Sequence, residues 1–140
     1  MSEKFKILTT FIKDMSSETP DLKTYIFVKE NIHSYQLNIK INSNPLKNRM
    51  IEVNTMLTFD DNKPSEKKSH FEITYVSIVK IEESVKDKKE IEKIIICDVQ
   101  KIIYPNIEKT FINILNDSGY PVIKIEKKID FDQLYKDSFK

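Results

Sequence analysis

The side chains that most often bind metals or act as nucleophiles are sparse in this sequence. The only histidines are His33 and His70, far apart in the chain, and the only cysteine is Cys97. A metal centre or an activated nucleophile needs several such groups close together. We therefore predict two surface histidines and a cysteine that packs among the isoleucines of a helix. The pattern predicts no metal site and no catalytic residue.

The acidic pairs and the glycine content lead to the same prediction. Asp60-Asp61 and Glu82-Glu83 occur in predicted loops, without the apolar burial that would raise a carboxyl pKa. The single glycine, Gly119, excludes the glycine-rich loops that hold phosphates and dinucleotides. We expect no cofactor and no enzymatic activity, although one acid working in a cavity is compatible with the sequence.

Length and charge bound the class of protein. A chain of 140 residues predicts one domain, 1–140. The net charge of +1, with lysines interspersed among acids, argues against binding nucleic acid or an anionic membrane. A lone cysteine favours a reducing compartment. Lysines interrupt the N-terminal apolar residues, and no stretch approaches the roughly 20 apolar residues that span a bilayer. We expect a cytoplasmic protein without membrane insertion.

Apolar residues with a period of two predict a sheet within the first 81 residues. Phe5 to Lys13 is apolar on both faces, as in an edge or interface strand, and Asp14 to Leu22 is predicted to leave that strand. Tyr25 to Val28 is a short apolar segment in a polar connection. Strands at 35–42, 51–59 and 71–81 follow with short loops between them, which predicts an antiparallel meander.

From residue 91 the apolar period changes to 3.6, which predicts helices. Apolar residues from Ile91 to Ile103 share one helical face, and Pro105 predicts a break near Ile103 to Pro105. The spacing resumes from Ile107 to Leu115, and 131–135 suits a short terminal helix. Strands first and helices second predict an α+β domain with helices over one face of the sheet.

Several large side chains lie outside these regular patterns, in connections or in the terminal helix. Exposed apolar area of this kind usually marks a binding surface. A small domain also needs most of its apolar residues for its core, so the same side chains are equally compatible with a cover for the sheet. The residues are Tyr25, Phe27, Tyr120, Phe131 and Tyr135.

Four segments in register resemble the SecB family of export chaperones. The family's first strand and the turn after it are similar to FKILTTFIKDMSSETPD at 5–21. The family's crossover loop is similar to FVKEN at 27–31. IIYPNIEKTFINILNDSGYP at 102–121 resembles the long-helix region, with an aromatic-Pro pair and a closing Gly-aromatic-Pro turn. IDFDQLYKD at 129–137 resembles the final helix. Together these segments span almost the whole chain.

The resemblance implies a four-stranded antiparallel sheet, a long broken helix and a short C-terminal helix, assembled as a homotetramer that is a dimer of dimers. It implies an ATP-independent holdase that binds unfolded precursor proteins and delivers them to the SecA motor. The acidic positions that meet SecA in the family match Asp14, Glu18 and Glu72. The client groove would be lined by Leu22, Tyr25, Phe27, Tyr120, Ile125, Phe131, Leu134 and Tyr135.

Two alternatives remain open from the sequence. One is a SecB-like chaperone dedicated to another client, such as an antitoxin. The other belongs to a different class, a small ligand-binding protein or enzyme with a cavity between its sheet and its helices. A single tight small ligand, in place of broad affinity for unfolded chains, would favour the second.

Overall fold

A computed structural model describes residues 4–61, 67–120 and 129–137. Its four strands are β1 (Phe5–Glu18), β2 (Tyr35–Pro45), β3 (Met50–Asp61) and β4 (His70–Ile81). They form one antiparallel sheet in the order β1-β4-β3-β2. The meander β2-β3-β4 and the four-stranded antiparallel sheet are confirmed. Position 125, one of the predicted groove residues, lies outside the described residues.

Strand β1 lies at one edge of the sheet and is longer than its apolar pattern predicts. It continues past Lys13 to Glu18, so the prediction that the chain leaves the strand at Asp14 was wrong. Two β-bulges interrupt its pairing with β4, between Ile7 and Thr9 and between Ile12 and Asp14. Residues 14–18, which are polar apart from Met15, remain in the strand because β4 supplies their hydrogen-bonding partners, which a local apolar pattern does not reveal.

One face of the sheet is covered and the other is open. Leu57, Phe71 and Ile73 point to the covered face and are fully buried. They join a core cluster with side chains of the long helical region, which places that region over this face. Residues of opposite parity in the strands, such as Asn54 and Glu72, point to the open face. The helices therefore leave one face of the sheet free.

The long helix consists of α2 (Lys88–Lys93), a π-helical turn (Ile94–Asp98) and α3 (Val99–Asp117). Its irregularity is the π-helical turn, and α3 continues through Pro105, so the predicted position of the break was wrong. Proline removes one backbone hydrogen bond, but Ile103, Tyr104 and Ile107 around it are buried, and their packing holds the helix. Core contacts repeat every fourth residue along α3, at Val99, Ile103, Ile107, Phe111 and Leu115.

A tight hairpin joins β2 to β3 and also supports the start of the long helix. Asn48 and Arg49 in this hairpin both have positive φ, at 62° and 60°. Arg49, the single arginine of the chain, donates from Nε to the carbonyl of Ile81 at 3.2 Å and from Nη2 to that of Glu82 at 2.9 Å. A further hydrogen bond joins the guanidinium to the carbonyl of Val85. The guanidinium thus fixes the connection from β4 to α2.

Two shorter α-helices and a 3-10 turn (Ile32–Ser34) complete the described fold. Helix α1 (Leu22–Glu30) crosses from β1 to β2, where the sequence indicated only a short apolar segment. Asp21 caps it, because its carboxylate accepts a hydrogen bond from the Thr24 N–H at 2.8 Å. Helix α4 (Phe131–Asp137) packs on the π-helical turn, which confirms the short terminal helix. Within the described ranges, no helix combines the length and the apolar character that a bilayer crossing requires.

Candidate functional site

Helix α1 presents an apolar surface to solvent. Leu22 is 71% exposed and Ile26, one turn later, is 47% exposed. Tyr25 and Phe27, on the flanks, are half-buried. The Nζ of Lys29 lies 5.9 Å from the centroid of the Tyr25 ring, close enough for a cation–π interaction. Three of the predicted groove residues therefore lie together on this helix, and Ile26 extends their surface although the sequence analysis did not select it.

Tyr120 supports this surface from below and is itself only 4% exposed. Its ring centroid lies 5.3 Å from that of Tyr25 and 5.2 Å from that of Phe71, which belongs to the core. The hydroxyl is shared with Thr19 Oγ1 and Ser69 Oγ, each at 2.8 Å. Tyr120 is thus a buried support in this structure, and not a surface that meets solvent.

Helix α4 forms a second apolar group. Phe131 is 7% exposed and packs edge-on against Tyr104, with ring centroids 5.4 Å apart. Leu134 and Tyr135 are half-buried, and the Tyr135 hydroxyl donates to the Lys89 carbonyl at 3.2 Å. Phe131 is therefore the anchor of α4 on the long helix, while the next turn of α4 leaves partial apolar surface.

The Cys97 thiol lies beneath α4. Its Sγ donates to the Phe131 carbonyl at 3.3 Å, and burial raises the pKa of the thiol. At the rim, Lys101 Nζ lies 3.3 Å from an oxygen of the Asp132 carboxylate, and this hydrogen bond lowers the pKa of Asp132. A buried thiol with a raised pKa is a poor nucleophile, as expected for a packed cysteine.

The two apolar groups lie apart along the long helix. Tyr104, which contacts Phe131, and Asp117, where α3 ends next to the Tyr25 site, are separated by about 20 Å at a rise of 1.5 Å per residue. An extended polypeptide needs about six residues to bridge that distance. An extended peptide that touches both groups of one protomer therefore needs more than about six residues.

The three acidic residues matched to the motor site lie together on the open face. In the ladder between β1 and β4, Asp14 is opposite Thr74, Ser16 is opposite Glu72, and Glu18 is opposite His70. Opposed residues share a face, so Asp14, Glu18 and Glu72 surround Ser16. The His70 imidazole borders this acidic group, with its Nε2 3.7 Å from a carboxylate oxygen of Glu72.

The exposed edge of β1 is apolar as well as long. Phe11 is 49% exposed, and Leu8, Ile12 and Met15 are also exposed large hydrophobic residues. The opposite edge strand, β2, ends in Pro45 and directs asparagines and Lys40 to the open face. Polar residues and proline protect an edge strand from further pairing. Strand β1 also carries exposed polar residues such as Lys6, but unlike β2 it exposes four large apolar side chains.

Metal-binding clusters of histidine, cysteine and acidic residues are not found in residues 4–61, 67–120 and 129–137. Exposed and half-buried apolar side chains on α1, α4 and β1 and the acidic group on the open face are surface features of the kinds that contact polypeptides.

A family model described as preprotein translocase subunit SecB matches residues 1–140. The chain belongs to the SecB family. A SecB relative from Pelagibacter ubique is 63% identical over 136 residues, which are 97% of each chain. The protein-export protein SecB of Bartonella quintana is 24% identical over 132 residues, covering 94% of this chain and 82% of its own length. Membership makes this protein a chaperone of preproteins in Sec-dependent export.

The SecB fold is also found in a solved structure of low sequence identity. The SecB-like chaperone of Mycobacterium tuberculosis, in complex with a peptide from the HigA1 antitoxin, superposes with a TM-score of 0.64 at 10% identity. The match covers 90% of this SecB-family chain and 88% of the mycobacterial one. At that identity the likeness concerns the fold, and it agrees with the four-stranded sheet and the long helix described above.

Proposed function

We propose that this SecB-family protein is an ATP-independent holdase, formed by one chaperone domain over 1–140, that binds extended segments of unfolded precursors in the cytoplasm. The observation that carries the proposal is the apolar surface of α1, where Leu22 is 71% exposed beside Ile26 and Tyr25. A holdase must bind the unfolded state more tightly than the folded one. Exposed aliphatic side chains beside aromatic rings do so for many sequences, because they require area more than a fixed pattern of hydrogen bonds.

The α4 group is the second contact for the same client. Leu134 and Tyr135 remain half-buried after Phe131 has anchored the helix. Since the two groups are about 20 Å apart, longer extended segments gain a second contact that short ones lack. Binding two linked sites raises the overall affinity through effective concentration. The client is thus an extended chain, and release comes from client folding or from handover to another protein, without a catalytic step.

The apolar edge of β1 supports a homotetramer built as a dimer of dimers. Leu8, Phe11, Ile12 and Met15 are exposed on both faces of an edge strand, so a second β1 would continue the sheet and bury part of this apolar area. Ile102, 59% exposed on the long helix, provides an apolar contact for joining two such dimers. Light scattering is expected to give the mass of four chains.

The acidic group on the open face supports delivery to the SecA motor. Asp14, Glu18 and Glu72 lie close together on a surface that the helices leave free, where they attract a basic partner in a salt-dependent manner. Reversing all three charges to lysine is expected to abolish most of the affinity for SecA. The control is Glu83→Lys, an exposed acid of the loop before α2 that leaves the open-face group intact.

The holdase proposal is tested with an aggregation assay and with peptides of two lengths. The variant Leu22→Ser/Ile26→Ser is expected to bind an unfolded client about 5- to 10-fold more weakly, since it loses exposed apolar area on α1. Leu46→Ser changes a leucine that is 44% exposed, close to the 47% of Ile26, on the β2–β3 hairpin, and is the control. Equal loss in both variants, or equal affinity for 6-residue and 20-residue apolar peptides, would contradict the proposal.

A pull-down from the native host identifies the clients and separates export from the alternative of a dedicated client. Recovery of many precursor chains together with SecA supports export. Recovery of one antitoxin as the single bound polypeptide supports the dedicated chaperone instead.

A further inference from the structure

The only glycine of the chain lies directly under Tyr25. Gly119 has φ of +97°, a conformation that side-chain-bearing residues rarely adopt. A Cβ at this position would lie 3.2 Å from the Tyr25 ring. The Tyr25 hydroxyl donates to the Gly119 carbonyl, and within the described residues this is the only hydrogen bond from an α1 side chain to another element. The turn after the long helix therefore fastens α1 through one tyrosine.

Tyr120, the residue after Gly119, attaches that turn to the sheet. The hydroxyls of Thr19, Ser69 and Tyr120 lie 2.8 Å from one another in all three pairs. Each hydroxyl has one donor and two acceptor sites, so the three can satisfy one another in a ring. We call this arrangement the hydroxyl ring. Thr19 follows β1, Ser69 precedes β4 and Tyr120 follows α3, so the hydroxyl ring joins three elements that are distant in sequence.

Tyr120 connects the hydroxyl ring to α1 through packing of its aromatic ring. Its aromatic ring is packed between Phe71 of the core and Tyr25 of α1. Helix α1 itself buries only Thr24 and Val28. With so little buried area, the placement of this helix depends strongly on Tyr25, and the placement of Tyr25 depends on Gly119 and Tyr120.

We propose that Thr19 and Ser69 are positioning residues for client binding. Thr19 and Ser69 fix the Tyr120 hydroxyl by hydrogen bonds. Tyr120 and Gly119 in turn fix Tyr25. Tyr25 then fixes α1, which exposes Leu22 and Ile26. A surface that is already in place before binding loses less conformational entropy when a client binds. The proposal rests on the holdase function of α1 and adds two residues that do not contact the client themselves.

The test compares Thr19→Val, which removes the hydroxyl at constant shape, with Thr19→Ser, which keeps it. Thr19→Val and Ser69→Ala each remove one hydroxyl with its two contacts in the hydroxyl ring, and each is expected to weaken binding of an unfolded client about 2- to 10-fold. Thr19→Ser is expected to retain wild-type affinity. Amide hydrogen exchange of α1 is expected to accelerate by a similar factor, while exchange in β3 stays within twofold of wild type.

A core variant separates positioning from a general loss of stability. Ile73→Val removes one methyl group from the buried core, away from the hydroxyl ring, and lowers the stability of the whole domain modestly. It is expected to leave client affinity and α1 exchange unchanged. If Ile73→Val weakens client binding as much as Thr19→Val does, the loss follows stability and the positioning role is refuted.

The exchange measurement also distinguishes this inference from the holdase proposal. If the wild-type protein binds no unfolded client, the holdase function fails. Faster α1 exchange in Thr19→Val would still show that the hydroxyl ring positions this helix. If α1 exchange is the same in Thr19→Val, Thr19→Ser and wild type, the hydroxyl ring does not position α1, and the inference is overturned whatever the client affinity.

Discussion

Replacing Phe131 by alanine is expected to detach α4 from the long helix while the sheet stays folded. The Phe131 ring is 7% exposed and packs on Tyr104, and its removal costs about 3 kcal/mol, the lower end of the range for buried phenylalanines. The other attachments of α4 include the hydrogen bond from Cys97 to the Phe131 carbonyl, an exposed ion pair at Asp132, the hydrogen bond from Tyr135 to Lys89 and partial burial. A helix of seven residues has little stability of its own, so these attachments are too weak to keep it docked.

Cys97 provides the measurement, because it is the only thiol in the chain and lies beneath α4. Under conditions where docking is fast, the labelling rate follows the population of the undocked state. A loss of about 3 kcal/mol corresponds to a labelling rate about 100-fold higher. Phe131→Leu, which keeps most of the apolar volume, is expected to label much more slowly than Phe131→Ala.

Two outcomes would refute this reasoning. A labelling rate within threefold of wild type in Phe131→Ala would mean that residues other than α4 cover the thiol. Loss of the far-ultraviolet circular dichroism of the sheet in the same variant would mean that Phe131 belongs to the main core. Retained circular dichroism with fast labelling would support a separately docked α4.

Three further predictions follow from described contacts. Burial raises the pKa of Cys97 in the folded state. Docking of α4 is therefore fully supported below the pKa of the free thiol and weakens above roughly pH 8.5. The labelling rate of Cys97 in the wild-type protein between pH 7 and 10, divided by the rate for a free thiol at the same pH, checks this. Gly119→Ala is expected to lower the free energy of unfolding by about 1–3 kcal/mol through backbone strain and contact with Tyr25. In a Tyr25→Ala background only the loss from backbone strain should remain, and a loss as large as in the wild-type background would contradict the role of the contact. Arg49→Lys is expected to lower the free energy of unfolding by about 1–2 kcal/mol, since an ammonium cannot reach all three carbonyls. An unchanged denaturant unfolding curve would mean that the guanidinium hydrogen bonds do not contribute to stability.

The sheet was predictable because its strands carry a strict period of two. In β3, buried and half-buried residues alternate from Val53 to Phe59, as the sequence indicates. The prediction that Asp60 and Asp61 lie in an unburied loop was wrong, because β3 continues through both residues and Asp61 is buried at its end. Helix α1 was not predictable in this way. Its residues Tyr25, Ile26 and Val28 favour strands by propensity, and the helix forms because Asp21 caps its start and Tyr25 packs on Gly119. The second of these contacts joins positions 94 residues apart, which no local pattern contains.

The sequence indicated most of the residues that belong to the two apolar groups, but not which of them are exposed and which are buried supports. Leu22 and Tyr25 lie on the surface of α1, but Tyr120 and Phe131 are buried supports, because aromatic side chains outside regular patterns serve surface and core equally well. Gln100, polar in sequence, lies fully buried in the long helix and donates to Thr55 at 2.9 Å. Thr19 and Ser69 gave no signal in the sequence, since their importance arises only from meeting Tyr120.

The sheet order β1-β4-β3-β2 also sets an order of events during synthesis. The meander of β2, β3 and β4 needs only neighbouring contacts and can form early, but β1 has its partner in His70–Ile81. At ribosomal rates of roughly 5–20 residues per second, β1 with its apolar residues from Phe5 to Met15 is made about 3–12 s before that partner is complete. For this interval the nascent chain displays an unpaired apolar strand, the same kind of segment that a holdase binds.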